Sequence, residues 1–158
     1  MTIEGLRIET VTNQPVITLL EKAGRRQLPI YVGMAEANAI AMQMENVDTP
    51  RPMTHDLLRN VIEDLEGRVE RIVVTELKDN TFFALIHLLV RGETVTIDSR
   101  PSDAIALALR TRAPIFVEES VIEGARSIEG PATSRQDDER LHQWLESLDS
   151  DELGKYKM

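Results

Sequence analysis

The segment Asp98-Ser99-Arg100-Pro101-Ser102-Asp103 crowds two carboxylates, two hydroxyls and one guanidinium around the predicted start of a helix, with proline at the first helical position. Free backbone N–H groups and the positive end of the helix dipole attract anions there, so Arg100 and the turn suit a phosphate, with Ser99 and Ser102 as further contacts. Asp98 and Asp103, together with Glu36, are candidate ligands for Mg²⁺ or Mn²⁺, hard cations that take carboxylate oxygens. A purely structural reading stands beside this one. With Arg100 as N-cap, Asp103 falls at N3, where an acid stabilises a helix by about 0.3 to 1 kcal/mol. A second constellation is Pro50-Arg51-Pro52-Met53-Thr54-His55-Asp56. His55 there is a candidate acid or base with Arg51 beside it to meet substrate, and the alternative is simply a capped first turn. Arg25-Arg26 reads as a solvated hairpin tip.

Positioning these residues falls to a segment that occurs twice. Ile30 to Met42 aligns without a gap onto Ile97 to Leu109, matching the leading isoleucine, the acids Glu36 and Asp103, and the alanines at 37, 39 and 41 with those at 104, 106 and 108. Self-similarity at a fixed offset means one supersecondary unit used twice. The copies differ at the turn, where Tyr31, Val32 and Gly33 are replaced by Asp98, Ser99 and Arg100. Chemistry is therefore expected at the second turn.

Around each copy the pattern reads as three strands and a helix. Residues 3–11 alternate as a strand, 15–20 and 28–32 form a hairpin, and a helix covers about 34–45. Thr54 is a predicted N-cap for a helix carrying Leu57, Leu58, Val61, Ile62 and Leu65 on one stripe and stopped by Gly67. Strands follow at 69–77, 81–91 and 93–97, then a helix from Pro101 to about Arg112, a last strand at 114–117 and a short helical turn at 118–124. The expected fold class is α+β, a duplicated strand-hairpin-helix unit forming a mixed β-sheet with packed helices. Residues 81–90 are apolar on both alternating faces, which predicts a central strand covered on both sides, with His87 as a satisfied core residue. The paired alanines let each helix lie close to the sheet.

At 158 residues with 42% hydrophobic side chains the chain suits one sizeable core, read as residues 1–124. Residues 125–158 read as a linker around Gly130 to Ser134 and an acidic amphipathic helix with Leu141, Trp144, Leu145 and Leu148 on one face. The absence of cysteine excludes disulfides and thiolate metal sites and fits a reducing cytoplasm. No apolar run approaches membrane-spanning length, so a cytoplasmic protein without membrane contact is expected. Net charge is −9, which on its face disfavours nucleic acid. The tail carries much of it. Residues 118–158 hold 11 acids and 5 bases, leaving 16 acids and 13 bases for residues 1–117. Of the 18 basic residues 14 are arginine, whose planar fork binds phosphate in two places at once.

Leu28-Pro-Ile-Tyr-Val-Gly33 with Glu36-Ala37, Arg51-Pro-Met-Thr-His-Asp-Leu-Leu58, and Ile97-Asp-Ser-Arg-Pro-Ser-Asp-Ala-Ile-Ala-Leu-Ala108 resemble the bifunctional nuclease family over roughly residues 3–124. The resemblance implies a compact α+β domain, described for the family as a duplicated unit, with nuclease activity on both DNA and RNA and a tendency to self-associate, most simply as a dimer. The expected function is a metal-assisted phosphodiesterase in which Asp98, Asp103 and Glu36 hold Mg²⁺ or Mn²⁺, Arg100 stabilises the charge of the transition state, and His55 is an alternative acid or base. The competing reading is a non-catalytic module that binds an anion or partner through the same helix N-terminus.

Overall fold

The computed structural model describes residues 1–126 and 143–144. Its chain order is β1 (Thr2–Ile8), β2 (Pro15–Leu20), β3 (Gln27–Tyr31), α1 (Met34–Met44), α2 (Thr54–Asp64), β4 (Gly67–Lys78), β5 (Thr81–Val90), β6 (Glu93–Ser99), α3 (Pro101–Thr111), β7 (Ile115–Val117) and α4 (Glu119–Arg126). The fold class is α+β. The strands fall into two sheets instead of the one mixed sheet expected, because each three-strand meander closes through its own short hairpins. One sheet has the order β1-β2-β3 and the other β6-β5-β4-β7, with β4 and β7 its parallel pair. Both meanders run directly into a helix, α1 after β3 and α3 after β6. None of the described helices is long and apolar enough to cross a membrane.

Apolar alternation builds the core where the two sheets and the helices meet. Ile17, Leu19, Leu28 and Ile30 come from the first sheet, Ile72, Val74, Ala84 and Ile86 from the second, and Ile40, Ile105 and Leu107 from α1 and α3. Ala37, Ala104 and Ala106 are wholly buried, and side chains this small let α1 and α3 approach each other and the sheets.

Four local expectations need revision. The N-cap of α2 is Met53, in extended backbone, and Thr54 is already helical; the Met53 N–H is satisfied by Asp56 Oδ2 at 3.0 Å. The helix is stopped by Glu66, which takes the left-handed conformation at φ 62°, while Gly67 begins β4. Gly67 is instead required by close approach, since a Cβ there would lie 3.0 Å from the Ile62 carbonyl oxygen. The leucine stripe of α2 is not core: Leu57, Leu58, Val61 and Leu65 are exposed and the buried residue of the helix is His55. Polar ties from His55 and Asp56 to α3 turn that face of α2 inward and the stripe outward. Finally, β5 is central but only Ala84, Ile86 and Leu88 are buried; Phe83 on its other face is exposed and His87 is half-buried.

Arg26 also departs from the solvated tip expected of it. It bonds Glu21 within its own hairpin and Glu119 of α4, clasping the first sheet to the last helix, and these carboxylates push its pKa up. The predicted linker and most of the predicted tail helix lie outside the described residues. Gln143 and Trp144 are helical, and Trp144 packs half-buried against the core.

Candidate active site

The N-termini of α1 and α3 meet at Arg100. Gly33 and Arg100 are the two N-caps, both extended, and Glu36 and Asp103 both follow at N3. Neither N-cap receives a side-chain hydrogen bond. The carboxylates turn instead to the same guanidinium: Arg100 Nη2 donates to Glu36 Oε1 at 2.7 Å and Arg100 Nε donates to Asp103 Oδ2 at 2.8 Å. Glu36 gains this reach by folding over its own N-cap, and a Cβ on Gly33 would lie 2.2 Å from its Oε2. The glycine that distinguishes the first turn therefore makes room for an acid that serves the second.

Asp103 has a second partner, His55 Nε2, at 2.9 Å from Oδ1. Burial pushes the Asp103 carboxyl up, but the Arg100 and His55 hydrogen bonds outweigh it and hold the group below the usual carboxylate range. An ionised carboxylate only accepts, so the His55 nitrogen facing it carries the hydrogen and Nδ1 is left as the ring's basic atom. The imidazole is buried at 8% exposure, which fixes its plane, and its helix is fixed in turn. Arg110 of α3, its side chain 3% exposed, donates to Asp56 Oδ1 at 2.7 Å, to Ala106 O at 2.9 Å and to Ala39 O of α1 at 3.0 Å. One buried side chain thus ties together the three helices that carry Glu36, His55 and Asp103. For Asp56 burial again pushes the carboxyl up, while the Met53 N–H and Arg110 bring it below its usual range.

These residues open onto a groove of about 1040 Å³ lined by Glu36, His55, Asp98, Ser99, Arg100 and Asp103 at its polar end and by Leu57, Leu58, Val61, Ile86, Leu88 and Ile97 along its apolar walls. Six of the eight site residues expected from the sequence are therefore brought to one groove. Ser102 and Arg51 are not: Ser102 is buried inside the α3 contact, and the exposed Arg51 is outside the lining. Ser99 Oγ is turned to the Arg100 carbonyl at 2.8 Å. Asn38 also lines the groove, and its buried Oδ1 has no hydrogen-bond partner among the described residues. Asn38 and Arg110 are the residues sequence reasoning missed. Their signal was a polar side chain set among the closely spaced alanines and leucines of a helix meant for burial.

The carboxylates do not make a ligand set for Mg²⁺ or Mn²⁺ as they stand. Among the described residues no group of three or more His, Asp or Glu side chains is placed to hold a metal ion, and Glu36 and Asp103 already share the cation of Arg100. What the arrangement offers is an oriented imidazole beside a half-engaged guanidinium, 64% exposed, whose remaining N–H donors are available to an anion.

An arginine and an oriented histidine thus share one groove of this α+β domain, and comparison with known sequences gives its family. The bifunctional nuclease domain matches residues 17–129, and the chain belongs to that family. An uncharacterised protein of Mycobacterium tuberculosis is 37% identical, with 96% of this chain and 95% of that protein covered. Bifunctional nuclease 2 of Oryza sativa is 30% identical over 80% of this chain, which spans 41% of the rice protein's length. Bifunctional nuclease 1 of the same species is 24% identical over 72% of this chain and 35% of its own.

Proposed function

We propose that the chain is a nuclease that hydrolyses phosphodiester bonds in both DNA and RNA at the Arg100 end of the groove. The observation that carries this reading is the hydrogen-bonded series Glu36, Arg100, Asp103, His55, which links an anion-binding fork to an imidazole through one shared carboxylate. A phosphate oxygen takes the free donors of Arg100. Cleavage of DNA as well as RNA requires water as the nucleophile, since DNA lacks the 2′-hydroxyl. His55 Nδ1 takes the proton of the attacking water as the new P–O bond forms, and the imidazolium returns it to the ester oxygen as that P–O bond breaks. Asp103 stabilises the imidazolium by accepting its Nε2–H, and Arg100 stabilises the charge gathered on the phosphoryl oxygens.

Asp98, Glu36 and Asp103 outnumber the single arginine, so binding to a polyanion is weak and falls with rising salt. The metal-assisted route, with Asp98, Asp103 and Glu36 as ligands, needs Arg100 to leave at least one of its two carboxylates. Cleavage of single-stranded DNA and RNA by purified protein in EDTA, then with Mg²⁺ or Mn²⁺ restored, separates the two routes. Activity that survives EDTA, drops at least about a hundredfold in His55→Asn, the lower end of the ~10²–10⁴ range of acid–base catalysis, and also drops in Arg100→Ala, supports the reading. Activity present only with the metal returns the carboxylates to a ligand role. The carboxylate excess also favours a second reading, a module that binds a partner without catalysis, and this one prevails if neither substrate is cleaved under any condition.

A further inference from the structure

The groove offers a cation to one phosphate and none to its neighbours. Among the described residues that line it, Arg100 is the one lysine or arginine, and Glu36, Asp98 and Asp103 share its polar end. The walls beyond are aliphatic. Leu57 and Val61 come from α2 and Ile86 and Ile97 from β5 and β6, and Leu57, Val61 and Ile97 stand 56%, 46% and 43% exposed. A nucleic-acid strand carries one charge per nucleotide, so the phosphates on either side of the one at Arg100 meet carboxylates, apolar wall or solvent. Those that meet the wall shed water without gaining a partner. Proteins that track a single strand use a positively charged groove with aromatic platforms. Among the described residues this groove is lined by no aromatic ring, and the chain carries a net charge of −9.

Aliphatic walls suit a flat, uncharged ring whose polar edge finds a partner elsewhere. Asn38 offers one. Its Oδ1 lines the same groove and has no hydrogen-bond partner among the described residues. That oxygen accepts from a base N–H or a ribose hydroxyl and takes nothing from a phosphodiester, which has no hydrogen to give. The terminal torsion of an asparagine is soft, so the amide turns to meet such a donor. We infer that the preferred occupant is a dinucleotide, with its single phosphodiester at Arg100 and one nucleoside between the apolar walls. The groove of about 1040 Å³ is at the upper end of the roughly 300–1,000 Å³ of small-ligand sites. This inference rests on the nuclease reading for the phosphodiester at Arg100 and adds a size limit to it. Short fragments left by endonucleolytic cleavage of longer strands are then the substrates, and the interiors of long strands are poor ones.

Binding tests this apart from cleavage. A phosphorothioate link keeps the charge of the phosphodiester and resists hydrolysis, so calorimetric titration of the full chain can compare a dinucleotide with a single strand of roughly 20 nucleotides, longer than the ~4–16 of a typical single-strand site. The dinucleotide binds at least as tightly as the strand does per register, and the strand's log K falls against log salt with a slope no steeper than about −0.7, the value for one phosphate contact. Val61→Lys, at a position 46% exposed, puts a second cation on the wall. It tightens the strand more than the dinucleotide and steepens the slope to about −1.4. A strand that wild type binds more tightly per register, with a slope of about −2 or steeper, overturns the inference, and the nuclease reading stands if the same strand with ordinary links is cleaved. A dinucleotide that fails to bind overturns it too. Preference for the dinucleotide without cleavage of either ligand upholds the inference about the occupant and removes the nuclease reading.

Discussion

Replacing Arg110 by methionine keeps the length and apolar stem of the side chain and removes its head group. Asp56 Oδ1 then loses a 2.7 Å partner and the carbonyls of Ala39 and Ala106 lose theirs. Breaking one side of a buried ion pair costs roughly 3 to 5 kcal/mol. The Asp56 side chain retains 21% exposure, and water reaching it relieves part of the penalty, so the lower end, about 3 kcal/mol, applies. For a chain of this size each kcal/mol lowers Tm by about 2–4 °C, giving a fall of ~6–12 °C in a calorimetric or circular dichroism melt. The paired variant Arg110→Met with Asp56→Leu leaves no orphaned charge and recovers most of the loss, a coupling that a double-mutant cycle measures directly. Cleavage by Arg110→Met falls as well, measured where it is still folded, because α1, α2 and α3 no longer share a fixed point. A melt within about 2 °C of wild type would refute the assignment of Arg110 as the tie between the three helices.

Three further outcomes follow from the same geometry. Gly33→Ala displaces the Glu36 carboxylate, whose flexible end is the atom a Cβ would strike; nuclease activity falls several-fold while Tm moves by no more than about 2–4 °C, the equivalent of ~1 kcal/mol. Asp56 and Asp103 both have carboxyls below their usual range, so the stability they contribute is full above the ordinary carboxylate pKa of about 4 and is lost as pH falls through the depressed folded values; Asp56→Asn removes its part, and denaturant midpoints measured downward from pH 6 decline less steeply in that variant than in wild type. A chain ending at Arg126 folds with both sheets intact but melts lower by the equivalent of ~1–2 kcal/mol for lost partial tryptophan burial; in the full chain the emission of Trp144, the sole tryptophan, is blue of that in denaturant, and an emission already red in the native protein would place the residue in water.

Much of the fold was legible because short-range signals carried it. Alternation in β1 and β3, the proline at the first position of α3 and the turn at Gly92 mark elements whose boundaries the structure moves by at most a few residues. The stripe on α2 was legible as a pattern and misleading as a location. Amphipathicity says that one helical face seeks apolar surroundings, and it does not say whether the same chain supplies them. The orientation of α2 is decided by His55 and Asp56, whose partners are 48 and 54 residues away in sequence. Long-range polar pairs leave no periodic trace. For the same reason Asp103 could be placed at N3 from sequence, while its two partners could not be named.

The candidate site is intelligible as a pair of similar turns made unequal. Each presents an extended N-cap residue and an acid at N3, and two such turns side by side would set two carboxylates against each other. Arg100 at one N-cap supplies the cation that holds both acids, and Gly33 at the other removes the side chain that would block Glu36 from reaching it. The remaining asymmetry falls on Asp103, because α2 brings His55 to its free oxygen while Glu36 has Arg100 alone among the hydrogen bonds of the described residues. The second turn thus gains an imidazole partner by its contact with α2, the helix that lies between α1 and α3 in the chain. Arg100→Lys tests this division of labour, since a lysine keeps the charge but cannot span two carboxylates with a planar fork. Tm in Arg100→Lys stays near wild type, because the side chain is largely exposed, while cleavage falls at least tenfold, close to Arg100→Ala. Full activity with lysine would mean that the site uses the charge at position 100 and not the bridge it builds between Glu36 and Asp103.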